Sequence, residues 1–466
     1  MEILACQLDR SNSTPLYEQL YLYIKQEITE GRLGYGEKLP SKRNFAAFLK
    51  VSQNTIETAY EQLIAEGFVE GRARKGYFVL AYEDLEYIQT PATKRDNHQS
   101  QKQPIRYNFH PSWIDTASFP FTKWRKHAKT LLSQEHHGLL LMGSWQGELE
   151  LREEIAYYLY HARGVKCDPE QIVIGAGSEL LLQQLVLLFG ERAVYGVEDP
   201  GYHVISRILA HYPNHVYPLR VDGEGLDVGA LEGSNVQLVY TTPSHHFPYG
   251  AVLSANRRVQ LLNWASSKED HYVVEDDYDS EFRYSGKSIP ALKSMDKAEK
   301  VIYLGSFSKS LIPSLRISYM VLPKGLLPIY RNLFSYFHCS VSRIDQHILA
   351  RFMRAGDFER HLNRMRKIYR RKLDKTLKLL KPYASQINVI GEHSGLHMML
   401  SVHNGMEEKE LVERAKKANI KIHSLSAYSL SEMENSAPKI VLGFAGIPEE
   451  ELEIAIPLLL ESWQIE

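Results

Sequence analysis

Residues 301–323 read VIYLGSFSKSLIPSLRISYMVLP, and two apolar runs with strand character flank a serine-rich loop that carries Lys309. A strand over 301–304 delivers that lysine to a sheet edge. Ser306, Ser308 and Arg316 supply two hydroxyls and a planar fork suited to a phosphate. Lys309 is left for covalent work, because an amine lowered in pKa by desolvating or cationic surroundings forms a Schiff base with an aldehyde. Two other readings of the loop exist. Ser306 and Lys309 also meet the Ser-x-x-Lys spacing of the penicillin-binding nucleophile, but the Lys-Thr-Gly and Ser-Asp-Asn strings of that chemistry are missing from the chain. The other is a plain solvated lysine.

Pyridoxal phosphate chemistry demands more than a lysine. Its pyridine nitrogen is held protonated by a carboxylate, which belongs at the end of another buried strand. Residues 271–280, HYVVEDDYDS, offer one. Asp276 is assigned to the ring nitrogen and Tyr278 to the phenolic oxygen; taken alone, the segment reads equally as an acidic turn after a strand. Residues 171–188, QIVIGAGSELLLQQLVLL, form a strand, a glycine turn and an apolar helix, so that the backbone N–H groups of Ser178 and Glu179 point at an anion. The string DPGY at 199–202 follows an apolar run and puts the Tyr202 ring where it can stack on the pyridine; TTPSHHFPYG at 241–250 is a further strand-end turn.

At 466 residues, 44% hydrophobic and 24% charged, the chain has room for two or three domains and an ordinary core. Its apolar runs fall short of a membrane span, and its first residues lack the basic and apolar segments of a signal peptide, so a cytoplasmic protein is expected. Cys6, Cys167 and Cys339 neither frame disulfides nor show metal-ligand spacing. A net charge of -1 leaves any case for nucleic-acid binding to local features.

Those features occupy residues 1–80. Thr14 and Pro15 predict a helix start, with Leu16, Leu20, Ile24 and Ile28 recurring every four residues. Ser41 opens a second helix with Phe45, Ala46, Phe48 and Leu49 turned inward and Arg43 in its first turn. A third helix begins at Ser52, where Ser52, Gln53, Asn54 and Thr55 can meet base edges and phosphates while Ile56, Ala59, Tyr60, Leu63 and Ile64 face a core. Residues 68–79, FVEGRARKGYFV, then form a hairpin whose basic tip, with Lys75 and Gly76, suits a wing along a phosphate backbone. A small helical domain with solvated basic residues is the alternative on periodicity alone. Residues 81–106 are polar and aperiodic, a linker. From 107 to 466, strand-like runs at 172–174, 193–197, 236–241, 272–275, 301–304 and 317–322 alternate with helical stretches, the pattern of a mainly parallel sheet covered on both faces. One long basic helical tract from about 342 to 380 leads to a small α+β subdomain, about 330–466, with strands at 387–390, 396–402, 420–423 and 440–444.

The strings IGAGS, EDDYDSEF and SFSKSLIPSLRISYMVLP resemble the fold-type I aminotransferase pattern, and LPSKRNFAAFLKVSQNTIETAYEQLIAEGFVEGRARKGYFV resembles the GntR winged helix. Together, over nearly the whole length, the chain resembles the MocR/GabR family of bacterial transcription regulators. The resemblance implies a multi-domain chain: an N-terminal winged helix on double-stranded promoter DNA, a linker, and an aminotransferase-like domain. That domain holds pyridoxal 5'-phosphate as an internal aldimine at Lys309 and senses a small amine, an amino acid or the cofactor itself. It also implies a head-to-tail, domain-swapped homodimer. Four departures stand out. Gln53 follows the recognition-helix serine where the family has arginine. Gly446 and Val204 stand where carboxylate-binding arginines are expected, and Phe247 stands where the fold's enzymes carry asparagine. A regulator with weak or no transaminase turnover is therefore expected over an active aminotransferase with an accessory DNA-binding domain. A purely structural protein would leave Lys309, Asp276 and the phosphate cup unexplained.

Overall fold

Pro15 holds φ -56° and ψ 145°, an extended residue outside the helix it precedes, so α1 runs from Leu16 to Thr29 and Thr14 lies one position farther out than expected. α1 buries Leu20, Ile24 and Ile28. The computed structural model describes residues 8–80, 105–190, 192–213, 215–286, 288–431 and 437–465. The chain divides into two compact units, Met1–Lys102 and Gln103–Glu466. Cys6 and residues 81–104 of the expected linker lie outside the described residues.

In the first unit α2 is Lys42–Leu49, capped by the Ser41 hydroxyl, which accepts the Asn44 N–H at 3.3 Å. α3 is Gln53–Ala65, capped in the same way by Ser52, which accepts the Thr55 N–H at 3.1 Å. Phe45, Ala46, Ile56, Ala59, Tyr60 and Leu63 are buried as expected, but Phe48 and Ile64 are exposed. Each lies roughly a quarter turn or more off the stripe that its helix buries, at about 100° per residue. β1, Val69–Arg72, and β2, Gly76–Val79, form the antiparallel hairpin, closed where Arg72 pairs with Gly76.

The second unit opens with β3, Tyr107–Asn108, followed by β4, Ile172–Gly175; β5, Val194–Asp199; β6, His215–Asp222; β7, Gly225–Leu226; and β8, Leu238–Thr241. Next come β9, Tyr272–Asp277; β10, Val301–Ser306; β11, Ser318–Val321; β12, Ile387–Ile390; β13, His397–Val402; β14, Ile420–Lys421; β15, His423–Ser424; and β16, Lys439–Gly443. The large sheet has the order β4-β11-β10-β9-β8-β5-β6-β7. Its centre, from β10 to β6, is parallel, and β11 runs antiparallel between β10 and β4. β6 has no apolar run to betray it: it contains Pro218, and it is exposed at His215, Tyr217, Pro218, Arg220 and Asp222. Gly356, at φ +67°, breaks the expected long helix into Arg343–Arg354 and Asp357–Leu380. The smaller sheet is β12-β13-β16-β15, and β3 pairs with β14, so residues 107–108 pack with the C-terminal part of the unit. No helix among the described residues is long and apolar enough to cross a membrane.

Candidate functional site

Parallel strands end together, and here their carboxyl ends bring Gly175, Asp199, Thr241, Asp276 and Ser306 to one edge of the sheet, the usual ligand side of such a fold. Ser306 caps the single helical turn Phe307–Ser310 by accepting the Ser308 N–H at 3.1 Å, and that turn carries Lys309. The Lys309 Nζ donates to the Pro111 carbonyl at 2.6 Å. Burial lowers its pKa to about 8, opposed by nearby Asp279, so a useful fraction of the amine is neutral near pH 7.

The acids at 275–277 have separate surroundings because side chains alternate along β9. Glu275 accepts the backbone N–H groups of Leu292 and Lys293 at 2.7 and 2.8 Å. Asp277 accepts from Arg163 Nε at 2.7 Å and the Tyr303 hydroxyl at 2.5 Å. Asp276 faces the other way, where its one side-chain donor among the described residues is the Tyr240 hydroxyl. Burial raises its carboxyl to about 7, with that hydrogen bond pulling the other way. A buried carboxylate without a cation is the environment that a protonated pyridine nitrogen completes.

The anion end lies at the start of the helix Ser178–Phe189. Gly177 has φ +96°, and a Cβ there would stand 1.9 Å from Arg316 Nη2 and 2.5 Å from Glu179 Oε2, so only glycine leaves the guanidinium over the helix terminus. Arg316 and Glu179 pair at 2.7 Å across this point, an acid side chain occupying the position that suits a phosphate. β10, β11 and β4 align Ser306, Ser318 and Gly175 in register. Ser306 Oγ accepts from Ser308 N and from Ser318 Oγ at 3.0 Å, and donates to Ser308 Oγ at 3.0 Å. Its capacity is taken up by the scaffold, whereas the Ser308 hydroxyl keeps a proton to donate.

Tyr202 lies between these two ends: burial raises its phenol, with Asp276 and Glu179 adding to the rise. The half-buried Tyr278 has its hydroxyl 3.0 Å from His245 Nδ1, which in turn faces Asp279 at 2.9 Å, and His245, Asp279 and His397 are buried. Sequence names His245 as a candidate for an effector anion but does not mark Tyr240, Pro111 or Asp279 as neighbours of the cofactor. Only the strand-end position of Tyr240 could have marked it; Pro111 reaches Lys309 from 198 residues away.

The winged-helix unit presents its own surface. Arg43, Gln53, Asn54 and Lys75 are exposed, while Ser52 and Thr55 hydroxyls bind each other at 2.8 Å and so serve the α3 cap. Lys42 is paired with Glu57 and Arg72 with Glu70. Arg74 and Gly76, at φ +60° and +110°, form the hairpin tip that projects Lys75.

Residues 16–79 match the model of bacterial regulatory proteins of the gntR family, and residues 114–457 match aminotransferase class I and II. Over 98% of its length the chain is 42% identical to the HTH-type transcriptional regulator YdeL of Bacillus subtilis, covering 99% of that protein. It is 30% identical, over 98% of its length and 95% of the relative's, to the probable rhizopine catabolism regulatory protein MocR of Rhizobium meliloti. The chain belongs to the MocR/GabR family. As such it is a transcription regulator joining a DNA-binding winged helix to an aminotransferase-like domain whose cofactor is pyridoxal 5'-phosphate, and the fit of Asp276 and the helix terminus agrees with that group. The fold is also that of a Pyrococcus horikoshii kynurenine aminotransferase, with TM-score 0.69 and 24% identity over 82% of this chain and 97% of the enzyme.

Proposed function

We propose that this MocR/GabR-family regulator responds to a small primary amine that meets the cofactor at Lys309, and that the response changes its affinity for promoter DNA. When bound, the cofactor supplies an aldehyde carbon and an electron-withdrawing ring. The residues do the rest. Lys309 offers the amine, Asp276 holds the ring nitrogen, and Tyr278 addresses the phenolic oxygen. Tyr202 covers the ring; Ser178 and Glu179 N–H groups, Ser308 and Arg316 hold the phosphate, and Ser306 orients Ser308. The single observation that carries this reading is the lowered amine of Lys309, in the turn after β10, on the same sheet edge as an uncompensated Asp276.

Turnover of ordinary amino acids is weak or absent in this reading. A Cβ at Gly446 would stand 2.7 Å from Trp113 Cβ, so the space where an arginine would clamp a substrate carboxylate is closed off by the backbone and Cβ of Trp113. Arg43, the wing around Lys75 and Gly76, and the exposed Gln53 and Asn54 form the DNA surface, with Ser52 and Thr55 setting the pitch of α3. The active form is a head-to-tail homodimer in which each winged helix serves the partner chain.

The test is DNA affinity of apo and cofactor-loaded full-length protein, each with and without a panel of amines. Similar affinity of the two forms, with a shift when one amine is added, is expected. A difference between apo and loaded protein that no amine alters would replace amine sensing with cofactor sensing.

A further inference from the structure

We propose that His110, His203 and His423 form a subsite for the anionic end of the effector, which makes the effector a small primary amine bearing a carboxylate. The inference rests on the amine-sensing reading above and names the ligand class. Other histidines near the cofactor each face an acid or a carbonyl: His245 Nδ1 lies against Asp279 and Tyr278 at 2.9 and 3.0 Å, although its Nε2 has no partner among the described residues, and His397 Nε2 is 3.1 Å from the Pro248 carbonyl. His246 Nδ1 takes the Tyr249 N–H at 3.4 Å, and its Nε2, without a hydrogen bond, still faces the Glu198 carboxylate at 3.6 Å.

The remaining trio comes from separate elements. His110 follows β3, His203 begins the helix His203–Leu209, and His423 begins β15. The His110 and His423 rings meet edge to face with centroids 4.5 Å apart, and Tyr428 lies 5.4 Å from His203 and 6.3 Å from His423. His203 Nδ1 and His423 Nε2 are buried and have no hydrogen-bond partner among the described residues. His110 Nδ1 accepts the Ser112 N–H at 2.9 Å, which leaves its Nε2 as the protonated nitrogen of a neutral ring. A buried polar nitrogen without a partner is costly, and two on rings that both contact Tyr428 mark a place for a ligand.

Charge identifies the ligand. His110 is lowered to about 4 by burial and then by His423, Lys309, Lys421 and His203; His203 is lowered by burial and Arg207, and His423 by burial, Lys421 and His203. The charged groups that act most on the trio are basic. An oxyanion removes that frustration, because each imidazole then donates an N–H to it and its protonation becomes favourable. The turn that fills the Gly446 position does so with Trp113, whose N–H bonds the His110 carbonyl at 3.0 Å, so the same turn brings His110 to the site. Lys309 donates to Pro111 in that turn, which sets the anion subsite next to the reacting amine.

The experiment follows cofactor absorbance in full-length, cofactor-loaded protein, titrated with amino acids and with the matched amides and decarboxylated amines. In wild type, acids are expected to half-saturate at concentrations about tenfold or more below their uncharged counterparts. His203→Phe and His423→Phe should each remove about tenfold for the acids and leave the uncharged amines within about twofold. His423→Gln, which keeps a donor, should recover part of the loss, and retained cofactor absorbance shows that each variant is folded around its site. An absorbance shift indifferent to the carboxylate and to both phenylalanine substitutions overturns the subsite alone. A loaded wild-type protein whose absorbance no amine shifts overturns amine sensing itself.

Discussion

The Lys309 Nζ donates a 2.6 Å hydrogen bond to the carbonyl of Pro111, so the amine is held by the first segment of the aminotransferase-like unit rather than by a neighbouring strand. A main-chain carbonyl is a neutral acceptor, and it orients the amine without raising its basicity as a carboxylate would. With burial lowering the amine to about 8, cofactor incorporation into apo protein should quicken as pH rises from 6 and level off above about 8, because only the neutral amine attacks an aldehyde. Lys309→Ala should lose the near-visible absorbance and borohydride trapping altogether. Retained covalent signal in that variant would remove Lys309 from the site.

Asp276→Asn separates cofactor binding from stability. Cofactor affinity should fall by about 1.5–3 kcal/mol, roughly 10- to 150-fold, since the charge-assisted bond to the ring nitrogen is lost. The apo protein should respond the opposite way. A carboxyl whose folded pKa is raised to about 7 binds its proton more tightly when folded, so its contribution to stability declines as pH rises from about 4 to 7. The asparagine variant lacks that decline and should unfold later than wild-type apo protein at pH 8, by on the order of 1–3 kcal/mol in urea. Equal stability at pH 8 would mean that Asp276 is already compensated.

Asp277→Ala should do neither. It strips the buried Arg163 guanidinium of its 2.7 Å partner and the Tyr303 hydroxyl of its acceptor, a loss of about 3–5 kcal/mol. Apo and loaded protein alike should unfold at lower denaturant concentration. A variant with normal stability and defective cofactor binding would exchange the roles given to Asp276 and Asp277.

Gly177→Ala tests the phosphate end. The new Cβ meets Arg316 Nη2 at 1.9 Å and must adopt φ near +96°, at a cost of about 1–2 kcal/mol. Displacing the guanidinium should weaken pyridoxal 5'-phosphate markedly and leave pyridoxal, which lacks the phosphate, almost unchanged. Equal loss for both ligands, read from absorbance titrations, would point to general distortion.

On DNA, Lys75→Ala should weaken binding to all sequences and flatten the salt dependence by about one unit of slope, while Gln53→Ala should alter the preferred site. Native-gel retardation over a salt series reads both. Binding untouched by either change would move the DNA surface off the wing and α3.

Local pattern sufficed for much of this. Apolar runs ending in glycine, acid or serine placed β4, β9 and β10, and a four-residue apolar period with Ser41 and Ser52 as caps placed the helices of the winged unit. Those signals are legible because they depend only on neighbours within a turn or a strand. The long helix expected over 342–380 was legible too, except that Gly356 divides it. Tertiary structure decided the rest. Which of Glu275, Asp276 and Asp277 faces the cofactor depends on what each side of β9 meets. Whether Ser306 is free depends on Ser318 across the sheet, and what fills the space at Gly446 depends on Trp113, 333 positions away in the chain. His203, His245 and His246 are the histidines that sequence offers as holders of an effector anion, whereas His110 and His423 are unremarkable there, and the trio is scattered over more than 300 residues. They become a site only because burial removes water from their nitrogens and packing sets basic groups against them, and neither effect has a signature shorter than the whole fold.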